Sequence, residues 1–481
     1  MKTDHNKRLR LTIAALLSAV TLACPSAAPS ATPELRAGAA QACITPQLGT
    51  LINGDLTPFV SRHIHDDLRV RALVLDDGST RLVFAVVDTC LLDRPLFDEA
   101  KKLVQQQTGL APGQVMMSCT HTHSAGSGCG VHLTDADSPY RASLPGRIAD
   151  AVRCAVNNLA PAQVAWGSGS VPQHVFCRRL FIKEGMTYTN QMGRTNERAK
   201  MNWDSPHPAD GGPTGPTDPE VFVLSLKHAD GRPLALLANY SLHYVGDVAP
   251  GDISADYFGV FADRIQQLLG ADRQDPPFIG ILCNGASGDI NNWDPKTSHA
   301  SPIPYTRIRK VADDVAQEVL RVVQQMKHRR DVTLRSRQGE CVVATRRPSA
   351  EEVVKARALL AGRPLSQLKT WQEDDAREQI ILSDYPAEVS LPLQVFRIGD
   401  LAIAAWPGEV FAASGLDLKR QTPLKPLFNV GLANGWFGYI TPPEQFPFGA
   451  YETWRMRTSF LETNAIPKMT ASFVELLHAL K

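Results

Sequence analysis

At 481 residues the chain has room for one large domain or two to three ordinary ones, and 43% hydrophobic with 21% charged residues is a globular composition with ample material for a core. A formal net charge of +1 provides no electrostatic footprint for nucleic acid.

The first residues differ from the rest. Lys2, Lys7, Arg8 and Arg10 precede the apolar run Leu11 to Ala23, and the small-residue stretch Cys24 to Thr32 follows. That order predicts a secretory signal peptide, residues 1–28, cleaved after Ala27 or Ala28 and too short to span a bilayer. The expected location is secreted or periplasmic. Thr21-Leu22-Ala23-Cys24 matches a lipoprotein box only loosely, so anchoring at Cys24 is not expected. Of the nine cysteines, the eight beyond Cys24 contain no C-x-x-C pair. Export permits disulfides, and Cys119 and Cys129 flank a loop they could staple; equally, Cys119 could be a small buried residue of an apolar strand.

In chain order, Arg69 to Leu75 and Leu82 to Val87 read as a hairpin around Asp76-Asp77-Gly78. A helix follows near Leu96 to Gln107, stopped by Gly109 and Pro112. Next come a strand from Val115, a helix near Leu144 to Asn158 and a strand near Gln163 to Trp166. Asn202 to Pro219 is rich in Pro, Gly and Asp and reads as a long ordered loop or lid. Val221 to Leu226 and Leu234 to Tyr240 form a second hairpin around Asp230-Gly231. Phe258 to Leu269 and Thr306 to Met326 are amphipathic helices; Ala350 to Leu382 is helical with a break at Gly362-Arg363-Pro364. Glu388 to Arg397 pairs with Leu401 to Ala405, and helices from Val410 to Lys419 and Pro467 to Leu480 complete the chain. No internal repeat is visible in the residues. Interleaved strands and helices predict an α/β fold with mixed β-sheets flanked by α-helices, over a single domain, 35–481.

The strand from Val115 runs into Thr120-His121-Thr122-His123-Ser124 and a Gly-rich loop. In an extended segment, side chains two apart share a side, so His121 and His123 would converge. Two readings stand: a solvent-facing pair at a strand end, or a metal site that both imidazoles bind, or that one binds while the other hydrogen-bonds to what the metal polarises. Other apolar runs end in the same polar fashion. Ala235 to Ser241 leads into His243, Phe278 to Cys283 into Asn284 to Asn292, Leu401 to Trp406 into Pro407-Gly408-Glu409, and Leu427 to Leu432 toward Tyr439 and Tyr451. Taken singly, His243 reads as a core histidine, Glu409 as a helix N-terminal acid and the two tyrosines as packing residues. Strand ends gathered at one edge are where active sites are built.

The ordered set resembles the catalytic domain of neutral/alkaline (non-lysosomal) ceramidases, a zinc amidase family. The matching segments are Ala39 to Pro46, Ile64 to Leu75, Thr120 to Ser124, Phe176-Cys177-Arg178-Arg179, Gly215 to Val221, Asn239 to His243, Gly251 to Gly259, Gly288-Asp289-Ile290, Pro407-Gly408-Glu409 and Tyr439 to Glu452. The resemblance implies that His121, His243, Glu409 and Tyr439 hold one Zn²⁺. It places His123 beside the metal-bound water or the substrate oxygen, and Arg178 and Tyr451 in the pocket lining. Two imidazoles, a carboxylate and a phenolate suit Zn²⁺. The metal would lower the pKa of a water to about 7 and polarise an amide or ester carbonyl. His123 would move a proton, with Tyr451 or Arg178 stabilising the oxyanion.

Two departures stand out. Where the family has G-D-V-S-P-N, this chain has Gly288-Asp289-Ile290-Asn291-Asn292, so Asn291 occupies the substrate-contacting serine position and Ser287 is not its equivalent. The larger members carry an immunoglobulin-like C-terminal domain. This sequence runs about thirty residues past Tyr451, which sets the expectation of a short bacterial-type relative without that domain. The reading is thus an exported zinc hydrolase of an N-acyl amide, ceramide-like by resemblance, with a small-molecule or lipid-like substrate and compatible with peripheral contact at a membrane surface. The alternatives are a zinc hydrolase of the same fold acting on a different ester, lactone or amide, a serine esterase using Ser287, or a non-catalytic binding protein. Gly285-Ala286-Ser287-Gly288 lacks the G-x-S-x-G spacing of a nucleophile elbow.

Overall fold

From residue 36 to residue 325 the chain runs twice through one order of elements. The first run is β1 (Arg36–Cys43), the hairpin β2 (Arg69–Asp76) and β3 (Arg81–Val87), α1 (Arg94–Thr108), β4 (Val115–Cys119) and α2 (Ser138–Asn157). The second is β5 (Ala160–Ser170), the hairpin β6 (Glu220–His228) and β7 (Pro233–Tyr240), α3 (Asp256–Leu268), β8 (Ile279–Asn284) and α4 (Thr306–Gln325). In each run three strands pair antiparallel and the fourth adds in parallel after a helical crossover, as a parallel neighbour requires. Both hairpins turn on an Asp-Gly step, with Gly78 at φ 84° and Gly231 at φ 93°. The repeat is one of topology; the residues do not show it. This computed structural model describes residues 34–202, 207–297 and 303–481. The expected signal segment, residues 1–28, and Cys24 lie outside the described residues.

The two runs share one eight-stranded sheet in the order β8-β7-β6-β5-β1-β2-β3-β4, joined through the short register Arg36↔Pro161 and Ala37↔Ala160. A second sheet follows in the order β9 (Leu334–Ala344), β10 (Glu388–Ile398), β11 (Leu401–Ala405), β12 (Leu427–Val430). One apolar core takes Phe84 and Met116 from the first half-sheet, Phe222 and Ile281 from the second, and Phe396, Ile403 and Phe428 from the other sheet. Alternate residues face outward. Val83, Ala85 and Val87 pack under α1 and α2; Val221 and Val223 pack under α3 and α4. Ala402 and Ala404 pack with Phe473 of α8 (Ala465–His478). Burial on both faces explains why these strands read as near-continuous apolar runs. Mixed sheets flanked by helices are thus the observed architecture.

The exits of several strands meet at one place. Gly431 N–H donates to Asn284 C=O at 2.9 Å and Cys119 N–H to Leu432 C=O at 3.2 Å, which threads the exit of β12 between those of β4 and β8. Some local expectations change. The helix expected from Val410 begins at Ala412 (α7, Ala412–Gln421), because Glu409–Val410 is a short strand parallel to Tyr439–Ile440. The expected loop Asn202 to Pro219 contains the strand Asp210–Pro213, paired with Arg179–Ile182; residues 203–206 lie outside the described set. The Ala350 to Leu382 stretch is two helices, α5 (Ala350–Leu360) and α6 (Trp371–Ser383). The eight described cysteines are all free, so Cys119 and Cys129 form no staple and are simply buried. Among the described residues no helix is long and apolar enough to cross a membrane.

Candidate metal centre

His121 and His123 converge, but not by strand alternation. Strand β4 ends at Cys119, and His121 adopts a left-handed backbone at φ 75°. For a non-glycine residue such a conformation costs on the order of 1–3 kcal/mol and is tolerated where the surroundings enforce it. Here Thr120 N–H is held by Val87 C=O and His121 N–H by Thr89 C=O, each at 2.9 Å. His123 is set by two other segments. Its ring stacks on Tyr244 with centroids 3.7 Å apart, and Gly54, at φ 118°, leaves room where a Cβ would come within 2.4 Å of His123 Nδ1.

His243 follows β7 and Glu409 follows β11. His121 and His243 are 2% and 1% exposed, and Glu409 is 5% exposed. His121 Nδ1–H donates to the Cys90 carbonyl at 2.8 Å, and His243 Nδ1–H donates to the Ser287 carbonyl at 3.0 Å. A carbonyl only accepts, so both rings carry a proton on Nδ1 and, when neutral, a lone pair on Nε2. Those two Nε2 atoms face each other at 3.0 Å. Glu409 Oε2 lies 3.3 Å from His121 Nε2 and 3.7 Å from His243 Nε2, and has no hydrogen-bond donor of its own. Glu409 Oε1 accepts from the Trp436 indole N–H at 3.0 Å. Three buried acceptors aimed at one point repel unless a cation sits among them. The donor set fits a borderline divalent ion such as zinc.

With no ion among these groups, the electrostatics put a proton there instead. Burial opposes charge on His121, yet the Glu409 carboxylate beside it holds its pKa up at about 10. Burial, then Arg178 and His121, push His243 well below the ordinary imidazole value. Glu409 stays low despite its burial because of His121. The cluster calls for one positive charge.

Tyr439 is brought to Glu409 by the backbone: in the short parallel pair, Glu409 and Tyr439 are register partners, with Glu409 N–H donating to Gly438 C=O at 2.9 Å. The Tyr439 hydroxyl faces Glu409 and Arg178. Arg178 is held by Glu452 Oε1 at 2.9 Å, while Arg179 takes the other oxygen at 2.6 Å. Arg178 Nη2 is buried with no hydrogen-bond acceptor. Tyr451 packs edge-on to Tyr439 with centroids 5.4 Å apart. Asn291 sits on a two-residue strand paired with Phe176–Cys177, next to Arg178, and its Nδ2 donates to Asn202 Oδ1 at 2.5 Å. Ser287 Oγ donates to Asn284 Oδ1 at 2.7 Å.

His123 differs from the other two imidazoles. Its Nε2 is 3.3 Å from His121 Nε2, but its Nδ1 is buried with no partner, so no carbonyl fixes its tautomer. It does not join His243 and Glu409 within one ligand sphere; the groups within 4.8 Å are His121, His243 and Glu409, and separately Cys90, His121 and His123. Sequence reasoning missed the orienting layer. The Cys90 and Ser287 carbonyls leave no trace in side-chain identity. Neither Trp436 nor Tyr244 is in a motif that marks it, although Tyr244 adjoins His243 in sequence.

A sequence profile of the neutral/alkaline non-lysosomal ceramidase N-terminal domain matches residues 58–300, a span that includes His121, His123, Arg178, His243 and Asn291. Glu409, Tyr439 and Tyr451 lie beyond that span and join the site through the second sheet. Among solved structures, the neutral ceramidase from Pseudomonas aeruginosa superposes with a TM-score of 0.70 at 19% identity, over 93% of this chain and 74% of that one. A ceramidase complexed with C2 superposes with a TM-score of 0.68 at 17% identity, over 93% of this chain and 75% of that one. With the profile matching half of the sequence and the fold shared over nearly all of it, the chain belongs to the neutral/alkaline non-lysosomal ceramidase family.

Proposed function

We propose that this protein is an exported, zinc-dependent amidohydrolase that cleaves an N-acyl amide, ceramide-like in class. Membership of the ceramidase family supports the amidohydrolase activity. The observation that carries the metal is the set of unpaired acceptors, His121 Nε2, His243 Nε2 and Glu409 Oε2, buried together with both imidazole tautomers locked. His121, His243, Glu409 and Tyr439 would hold the ion. When bound, zinc supplies Lewis acidity that polarises a carbonyl and makes water acidic enough to attack near neutral pH.

The chain's own residues supply the rest. His123, unpinned at Nδ1, is free to take a proton from attacking water and return it to the departing amine. Arg178, fixed by Glu452, presents its unpartnered Nη2 as a donor for the developing oxyanion. Tyr451 borders a chamber of about 20 Å³ lined by Trp371, Trp454 and Lys200. Glu197 and Trp454 also wall a surface cleft of about 660 Å³. Export rests on the basic and apolar residues of segment 1–28.

A second reading keeps the metal and changes the substrate to another ester, lactone or amide. It is favoured by Asn291, whose amide is engaged by Asn202 where relatives have a serine, and by the charged cleft lining of Arg194, Arg346, Glu352 and Arg455. The deciding experiment treats purified protein with a chelator and assays N-acyl amides, esters and lactones before and after Zn²⁺ is restored. Amide cleavage lost on chelation and recovered with zinc is the expected result. Cleavage indifferent to chelation would overturn the metal, and cleavage confined to esters or lactones would select the second reading.

A further inference from the structure

Behind Tyr451 lies a row of buried polar groups that the steps above do not use. The Tyr451 hydroxyl is 2.8 Å from His132 Nε2, and His132 Nδ1 is 2.8 Å from Asp374 Oδ2. His132 is 2% exposed and Asp374 is fully buried. Three separate segments build the row: the loop after β4, the first turn of α6, and the short turn Tyr451–Thr453. The His132 carbonyl is held by Arg377 and by Arg457, the latter at 3.0 Å, and Trp371 packs edge-on to the imidazole with centroids 5.3 Å apart. The ring cannot turn without breaking these contacts.

Proton bookkeeping gives the row a direction. A carboxylate only accepts, so Asp374 takes the Nδ1–H of His132. A neutral imidazole protonated at Nδ1 has a lone pair at Nε2, and the Tyr451 hydroxyl must donate to it. The phenolic oxygen then has only lone pairs left for the side that faces Tyr439. We propose that Asp374 and His132 are positioning residues that make Tyr451 a hydrogen-bond acceptor toward the substrate, so that it reads a donor there, a secondary-amide N–H or a hydroxyl, rather than capping an oxyanion. The proposal rests on the amide-hydrolase reading for the substrate and leaves Arg178 as the oxyanion donor. A substrate with no donor at that point would leave a buried acceptor unpaired, and sites of that kind discriminate strongly.

The orientation is testable without substrate. In full-length protein labelled with ¹⁵N-histidine, the His132 resonances should show Nδ1 protonated and Nε2 bare at neutral pH, with Tyr451→Phe moving the Nε2 signal. A proton on Nε2 would overturn the proposal, since Tyr451 would then be free to donate inward. With an N-acyl amide, Asp374→Asn should lower kcat roughly ten- to a hundredfold at unchanged metal content, the scale of one well-aligned hydrogen bond. N-methylation of the scissile amide should cost the wild type roughly tenfold more than it costs Tyr451→Phe. Equal costs in the two would overturn Tyr451 as the reader while amide hydrolysis stands. If metal-loaded wild type cleaves no N-acyl amide, the functional reading falls and the resonance measurement alone decides the orientation of Tyr451.

Discussion

The two halves of the eight-stranded sheet have the same topology and reach the candidate metal centre by opposite routes. In the first half the imidazole, His121, comes after the parallel crossover strand β4, and the carbonyl that orients it, Cys90, comes after the hairpin strand β3. In the second half the imidazole, His243, comes after the hairpin strand β7, and its carbonyl, Ser287, comes after the crossover strand β8. Each half thus contributes one ring and one carbonyl, with the roles exchanged between neighbouring strands. A pair of adjacent parallel strand ends is enough to place a ligand and fix its tautomer, whichever strand carries which part. The second sheet then closes the site with Glu409 and Tyr439 on one short parallel pair.

If the halves are equivalent in function, removing either ring should have the same, largest effect. His121→Ala and His243→Ala should each lose nearly all bound zinc, by elemental analysis, and nearly all turnover, since each removes one of four ligands and leaves a single imidazole in the set. A variant that keeps full metal occupancy would show that one half is only a spectator.

The next effect separates ring from ring within the first half. His123→Gln should keep most of the metal while kcat falls roughly 10²- to 10⁴-fold, the usual range for a lost general acid or base. Gly54→Ala should move activity the same way, because its Cβ would meet His123 Nδ1 at 2.4 Å and its backbone is at φ 118°. Parallel loss of metal in His123→Gln would exchange the roles given to the two histidines.

How much of this was legible in the sequence follows from what leaves a residue-type signal. The hairpins at Asp76-Asp77-Gly78 and Asp230-Gly231 were, because Asp-Gly turns and flanking apolar runs act locally. The polar strand ends carrying His121, His243 and Glu409 were too, and the structure brings these three together. The twofold topology was not, because pairing order is set by long-range contacts that individual residues do not encode. Nor was the reason His121 and His123 meet: a left-handed backbone at His121 is imposed by Thr89 and its neighbours, whereas local pattern argued for a pleat. The row from Asp374 to Tyr451 joins residues far apart in sequence, and a lone His132 gave no hint of it.

A smaller effect tests the closing sheet against the two halves. Trp436→Phe removes the only indole donor to Glu409 Oε1 and leaves the ring volume largely in place. Metal affinity should fall roughly 10- to 100-fold, the usual consequence of losing a hydrogen bond that orients a ligand. Unchanged affinity by competition with a chelator would mean that the strand pair at Glu409 and Tyr439 orients the carboxylate unaided.

The smallest effects are expected at Cys90 and Ser287, and they bear most directly on the symmetry of the halves. Both residues act through backbone carbonyls, so their side chains should be replaceable. Ser287→Ala loses one hydroxyl hydrogen bond to Asn284, about 1 kcal/mol of stability, and leaves the carbonyl that holds His243 untouched. Cys90→Ala likewise preserves the carbonyl at His121, although the Cys90 sulfur lies 3.9 Å from His121 Nδ1 and could be mistaken for a ligand. That sulfur faces the ring nitrogen pointing away from the other ligands, and burial pushes its thiol pKa up, so thiolate ligation is disfavoured there. Both variants should bind about one zinc per chain and retain substantial turnover, read by elemental analysis and by amide hydrolysis on the same sample. A folded, metal-loaded Ser287→Ala without activity would revive a serine nucleophile, and loss of zinc in Cys90→Ala would move the centre toward the first half and break the exchange of roles between the two.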